Sequence, residues 1–350
     1  MKSLNKAKRP LAGLLAAALL GSAGSLKADE VYSQIVGAIA IDVPGNSEVL
    51  LSFPFKRSAS FRGSVASSTS NVLTLDNSSF SDDEFNTGYY VFIEEDTAVS
   101  NNKMGRRFNI TDTTATTLTV DVDGDDLSGL IDGVISVRPH WTLDSAFPNG
   151  FGFVDVTDDG EREVELIVPT RNKVKGDGDI GIEKYYYFHD GKWRDRDAPT
   201  GSDAGGSVLR PGESILVLNN TEATIRSYFF GEVVDAPLAI PVLADASENV
   251  DNFVGLERPL AITLDDLLGD SGVGIDDILE TGDELLVYSL ELGENKDPTR
   301  YEYTGSQWQV VGGDGSDKGS ELIEPEQAIA IRRAAGNTSS TWVNEWSLPQ

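Results

Sequence analysis

With no cysteine in 350 residues, and with 28 basic against 57 acidic residues giving a formal charge of −29, the chain excludes disulfides, thiol catalysis, cysteine-ligated metals and lipid attached at a cysteine. So negative a field repels phosphate backbones and anionic headgroups, which removes nucleic acid and acidic membranes from the expected partners. The length suits two or three domains, each with its own core.

Taken in order, the chain opens with Lys2, Lys6, Lys8 and Arg9, an apolar run from Leu11 to Leu20, and small residues up to Ala28. This is the pattern of a secretory signal. A run of about ten apolar residues is too short to cross a bilayer core of ~30 Å, so residues 1–28 are expected to be removed on export. The remainder is expected in the periplasm, at the cell surface or outside the cell. No other stretch has the length of a membrane span, and no membrane insertion is expected.

From residue 29 to 140 short apolar stretches alternate with Gly, Ser, Asn and Asp. Ile35 to Ile41, Val49 to Phe53, Val72 to Leu75, Tyr89 to Ile93, Phe108 to Ile110, Leu118 to Val122 and Val134 to Val137 read as strands. The texture predicts an all-β module, a meander or barrel. The same texture runs through 141–235, with strands at Val164 to Val168, Lys184 to Phe188, Ser214 to Leu218 and Thr224 to Phe230, and Ala236-Pro237 marks a boundary to 236–350. Short helices are expected only at Thr263 to Leu268 and Gly274 to Leu279, where acidic residues fall in first turns and suit the helix dipole.

The last two segments echo one another. Tyr186-Tyr187-Phe188-His189-Asp190-Gly191-Lys192-Trp193 has the layout of Tyr301-Glu302-Tyr303-Thr304-Gly305-Ser306-Gln307-Trp308: aromatics at alternate positions, a two-residue turn, then Trp on the return strand. Thr142-Leu143-Asp144 returns as Thr263-Leu264-Asp265, Glu165 to Val168 as Glu284 to Val287, and Pro211 to Ile215 as Pro325 to Ile329, in the same order. The expectation is a tandem pair of antiparallel β modules, barrel-like or sandwich-like, with equivalent folds over 142–234 and 263–347.

Tyr89 to Ile93 followed by Arg106 to Thr111 and Thr117 to Val120, then Trp141 to Asp144, then Tyr186 to Trp193, resembles a family of exported, functionally uncharacterised bacterial proteins. The resemblance spans nearly the whole chain after the leader. It implies an all-β secreted protein and brings no site residues with it.

Candidate chemistry is sparse. Asp121, Asp123 and Asp125, with Asp132 at the twelfth position, begin like a calcium loop. Asp126 stands where such a loop needs Gly, however, and Asp132 is a shorter arm than Glu, so Asp123-Gly124 also reads as a simple hairpin turn. Lys175 to Asp179 and Gly313 to Asp317 read as acidic loops. The only imidazoles are His140 and His189, and the position of His189 is Thr304 in the echo, which argues against a histidine-based triad or metal site. No phosphate loop, dinucleotide fingerprint or nucleophile elbow occurs, so no catalytic residue, cofactor or metal is expected. Tyr186, Phe188, Trp193, Tyr301, Tyr303 and Trp308 are either the cores of their hairpins or stacking platforms for sugars. Trp342 and Trp346 are the aromatics most expected at the surface. The functional expectation is a non-enzymatic exported β-repeat protein with a binding, adhesion or envelope-structural role, a glycan or cell-surface component being its partner. The alternative is a glycan-acting hydrolase using a carboxylate pair.

Overall fold

The computed structural model describes residues 35–97, 102–150, 152, 163–170, 172–174, 182–198, 201–268, 274–290 and 297–345. The fold is nearly all β, as the alternation of apolar residues and turn signals predicts, and every strand pair is antiparallel. Strand β1 (Val36–Val43) turns through Asn46, in the left-handed region, into β2 (Ser47–Ser52). Six strands then close into a barrel in the order β3-β4-β7-β6-β5-β8: β3 (Phe61–Ser68), β4 (Val72–Leu75), β5 (Tyr89–Glu95), β6 (Arg107–Thr113), β7 (Thr117–Val120) and β8 (Val134–Pro139). Its interior is filled by Val65, Leu73, Val91, Phe108, Leu118, Ile135 and their neighbours, so it is a packed core. The unbroken apolar run of β5 reflects burial on both faces. Val91 and Ile93 point into the barrel, while Tyr90 and Phe92 pack outside it against Leu238 and Ile240.

The next segment supplies β9 (Trp141–Thr142), α1 (Leu143–Ala146), β10 (Val164–Pro169), β11 (Asn172–Val174), β12 (Ile182–His189), β13 (Lys192–Asp195), β14 (Val208–Leu209), β15 (Ser214–Asn219) and β16 (Ile225–Glu232). Helix α1 is a single capped turn that the sequence reading did not single out. Thr142 N–H donates to Ser145 Oγ at 2.7 Å, and Ser145 N–H donates back to Thr142 Oγ1 at 3.3 Å. The main sheet runs β13-β12-β10-β15-β2, and β16 pairs with β1. The two strands that precede the barrel therefore complete the sheets that follow it, and pairing crosses the division drawn at residue 140. The barrel enters and leaves at one place, since Phe61 lies opposite Val137. Such a unit fits into a loop between β2 and β9 without disturbing their sheets.

The third segment contains β17 (Leu238–Val242), β18 (Val250–Val254), β19 (Ile262–Thr263), a 3-10 turn at Asp265–Leu267, α2 (Ile275–Ile278), β20 (Glu284–Val287), β21 (Thr299–Tyr303), β22 (Trp308–Val310), β23 (Leu322–Ile323), β24 (Ile329–Arg333) and β25 (Ser340–Asn344). Both helical turns fall where acidic first turns place them. Five strands run β22-β21-β20-β24-β18, the order seen in β13-β12-β10-β15-β2, with β11 added outside β18. Register agrees too: Leu166 faces Tyr186 as Leu285 faces Tyr301, and Phe188 faces Trp193 as Tyr303 faces Trp308.

The two five-stranded ladders pack on each other through Leu50, Ile167 and Leu216 from one and Phe253, Leu286 and Ala330 from the other. Ser52 N–H donates to Glu326 O at 2.7 Å and Gly255 N–H to Gly212 O at 3.0 Å. These bonds exchange equivalent positions, because Glu326 follows Pro325 as Gly212 follows Pro211. Ion pairs fasten the barrel: Lys56 and Arg107 both reach Glu257 (2.5 and 2.9 Å), and Arg138 reaches Glu94 and Glu232 (3.0 and 2.9 Å). Glu257 is held at φ 51°, a backbone region costly for a side chain of this kind.

Candidate binding surface

Along β16 the two-residue period sends Ile225, Ser227 and Phe229 inward and Arg226, Tyr228 and Phe230 outward. Along β1 it sends Ile39, Ile41 and Val43 inward and Val36, Ala38, Ala40 and Asp42 outward. Register then places Ala38 across from Phe230, Ala40 across from Tyr228 and Asp42 across from Arg226. Two alanines beside two aromatics leave the rings uncovered: Tyr228 is 40 % exposed, Phe230 60 % and Val36 66 %. The ring centroids lie 6.4 Å apart and the ring planes 26° from parallel. Phe55 lies beneath this ribbon, where a Cβ on Gly37 would fall 2.2 Å from its ring. At one end Arg226 donates to both carboxylate oxygens of Asp42 at 2.6 and 2.5 Å, and that bond holds the Asp42 carboxyl below its usual range. The result is an exposed apolar stripe closed at one end by an ion pair.

The corresponding ribbon of the other half, β17-β25, turns Thr341 and Val343 outward and has no exposed aromatic. A feature present in one ribbon and missing from the other is not a requirement of the shared core. The sequence contained a signal for it: Tyr228-Phe229-Phe230 cannot all face one side of a strand, so a core that takes Phe229 must leave Tyr228 and Phe230 outside.

The aromatics singled out from the hairpins lie elsewhere. Trp193 and Trp308 are both 0 % exposed, with Tyr186, Phe188 and Tyr301 buried around them, so they pack the cores of their ladders. Trp342 is also buried, at 1 %, contrary to the surface expectation. The reason is its place opposite Ile240 on the inward side of β25, where it joins the core of its half. Trp346 lies outside the described residues.

The four acidic residues of the calcium-like stretch do not converge. Asp125 N–H donates to Val122 O at 2.8 Å, and Asp123 and Gly124 both have positive φ, as a type I′ turn requires. The turn does not join paired strands, because β7 and β8 are not neighbours in the barrel. The Asp125 carboxylate accepts from Arg106 at 2.6 Å, Asp121 accepts from the Asp123 N–H, and Asp132 begins the return to β8. Among the described residues no group of three metal-ligating side chains is assembled. In the stretch Gly313 to Asp317, Asp314 and Asp317 close local turns onto Ser316 and Gly319. Lys175 to Asp179 lies outside the described residues.

His140 is buried, donates from Nε2 to Asn109 Oδ1 at 3.0 Å and packs at a tilt against the Tyr90 ring. Burial, with the charges of Arg210 and Arg107, pushes its pKa down to about 4. It is therefore a neutral core residue near pH 7. His189 lies 3.4 Å from the Asp190 carboxylate at the hairpin turn.

An open cleft of about 530 Å³ lies beside the second hairpin, lined by Asp276, Glu280, Asp283, Glu302, Tyr303 and the turn at Thr304-Gly305. Two of its acids, Glu280 and Asp283, are engaged in structure. Arg333 bonds Asp283 at 2.6 Å and Glu280 at 2.7 Å, and Asp283 also takes the Ala334 N–H and Asn337. Comparison with family models, curated proteins and solved structures finds no match. No helix among the described residues is long and apolar enough to cross a membrane.

Proposed function

We infer that this is an exported, non-enzymatic protein built from two copies of one β module, the first interrupted by the barrel, and that it binds an uncharged polysaccharide through the Tyr228–Phe230 stripe at or outside the cell surface. The observation that carries the reading is the pair of exposed, nearly parallel rings two residues apart on one strand. Aromatic faces attract the weakly positive C–H groups of a sugar ring, and fixed rings lose little entropy on binding. The formal charge of −29 disfavours polyanions, so a neutral glycan suits the surface better than an acidic one. The basic and apolar leader supports export, and matching strand order and register in the two halves support duplication. The carboxylate-pair alternative draws little support from the acidic cleft, where Glu280 and Asp283 are committed to Arg333.

Co-sedimentation with insoluble neutral polysaccharides, against acidic ones as a control, tests this. The protein should be retained on a neutral polymer, and the Tyr228→Ala/Phe230→Ala double variant should lose retention with its melting temperature unchanged. Retention untouched by the double change would refute the site. New reducing ends in the same incubations would replace the binding role with the hydrolytic one.

A further inference from the structure

Among the described residues strand β1 has one neighbour, β16. Its ladder to β16 uses the odd-numbered residues: Val233 N–H donates to Ile35 O at 2.8 Å, and in an antiparallel pair that exchange recurs at every second residue. The N–H and C=O groups of Val36, Ala38, Ala40 and Asp42 therefore point to the opposite edge. Among the described residues no backbone group meets them there. An open edge eight residues long is a template for a further strand unless something blunts it. β1 has no Lys, no Pro and no break in register, and its single charge, Asp42, is already bonded to Arg226.

The strand in the corresponding place, β17, is blunted twice. Pro241 offers no N–H, and Ala239 N–H donates to Gly105 O on the barrel at 3.0 Å. One edge is closed by the barrel and its counterpart is left open. We propose that the open edge of β1 pairs antiparallel with β1 of a second copy of this chain, making β16-β1-β1-β16 one four-stranded sheet.

Charge and self-fit select this occupant. At a formal −29 two copies repel over most of their surfaces, and Ile35-Val36-Gly37-Ala38-Ile39-Ala40-Ile41 is an uncharged stretch along which they approach at least cost. With Ala38 opposite Ala40 of the second copy, Val36 meets Asp42 and no carboxylate faces its own mate. That register engages every free backbone group from Val36 to Asp42, and its two-fold symmetry consumes both edges, so assembly stops at the dimer. The dimer would also set two aromatic stripes on one sheet, although its formation does not depend on what the stripes bind.

Light scattering and sedimentation of the purified protein should give the mass of two chains, with tighter association as added salt screens the like charges. Ala40→Pro repeats the device of β17 at an outward-facing N–H, and Ala40→Glu puts like charge at the seam. Each should weaken association by at least about tenfold while the far-ultraviolet spectrum stays that of the parent. If Ala40→Pro alters the spectrum, Ala40→Glu decides. Tyr228→Ala/Phe230→Ala should leave the dimer intact, which separates this inference from the ligand-binding one. Because the chain has no cysteine, register can be read by oxidation. Differently tagged Ala38→Cys and Ala40→Cys chains should cross-link to each other in preference to themselves. A monomer at every concentration, a dimer indifferent to Ala40→Glu, polymers beyond the dimer, or like-to-like cross-links would each overturn the proposal.

Discussion

Truncating Trp193 and Trp308 to alanine tests the packing of the two ladders, and the structure makes the two costs unequal. Each indole is fully buried. Removing about 200 Å² of apolar surface at ~25 cal/mol/Å² costs about 5 kcal/mol, the top of the ~3–5 kcal/mol range for emptying a large aromatic site. Trp193 packs against Phe147 and Phe188 at 6.0 and 5.5 Å, and Trp193→Ala should fall near that upper value. Trp308 has one ring neighbour among the described residues, Tyr303 at 5.3 Å. With fewer ring contacts to lose, each worth about 0.5–1.5 kcal/mol, Trp308→Ala should cost about 3 kcal/mol, and Trp308→Phe less than about 1.5 kcal/mol. Urea unfolding followed by near-ultraviolet circular dichroism gives midpoints and slopes together. Both alanine variants within about 1 kcal/mol of the parent, or Trp308→Ala costing more than Trp193→Ala, would refute the reasoning.

Two further outcomes follow from the buried charges. His140 protonates at about 4 in the folded chain against 6.5 when unfolded, so the unfolded state binds the extra proton first. Stability therefore falls as pH drops from 6.5 towards 4, by about 3 kcal/mol at ~1.36 kcal/mol per unit, and His140→Gln should flatten that interval of a stability–pH profile. Arg138→Met should cost about 3 kcal/mol in thermal or urea unfolding, because it takes the guanidinium from Glu232 and leaves Glu94 with Arg62 alone. Adding Glu94→Gln and Glu232→Gln to that variant should recover part of the loss, and no recovery would show that packing, not charge, is at stake.

The local rules were legible in the residues. Asp190-Gly191, both at positive φ, turn the first hairpin, and Gly305, at positive φ, turns the second. Aromatics two apart and a Trp after the turn predicted the registers that Phe188–Trp193 and Tyr303–Trp308 adopt. Turn sterics and the period of two act over a few residues and need no knowledge of the rest of the chain. The absence of cysteine likewise settled its chemistry from composition alone. Which strands become neighbours was not legible. β1 and β2 pass over the whole barrel to pair with β16 and β15, and the same apolar texture would have suited them inside it. That choice is made by the sum of many distant contacts, not by any property of the strand itself. The same holds for orientation: the sequence states that Tyr228 and Phe230 share a face, and that Trp342 lies on a strand. Only the packing of each ribbon on its core decides that the first two stand in solvent while Trp342 is buried.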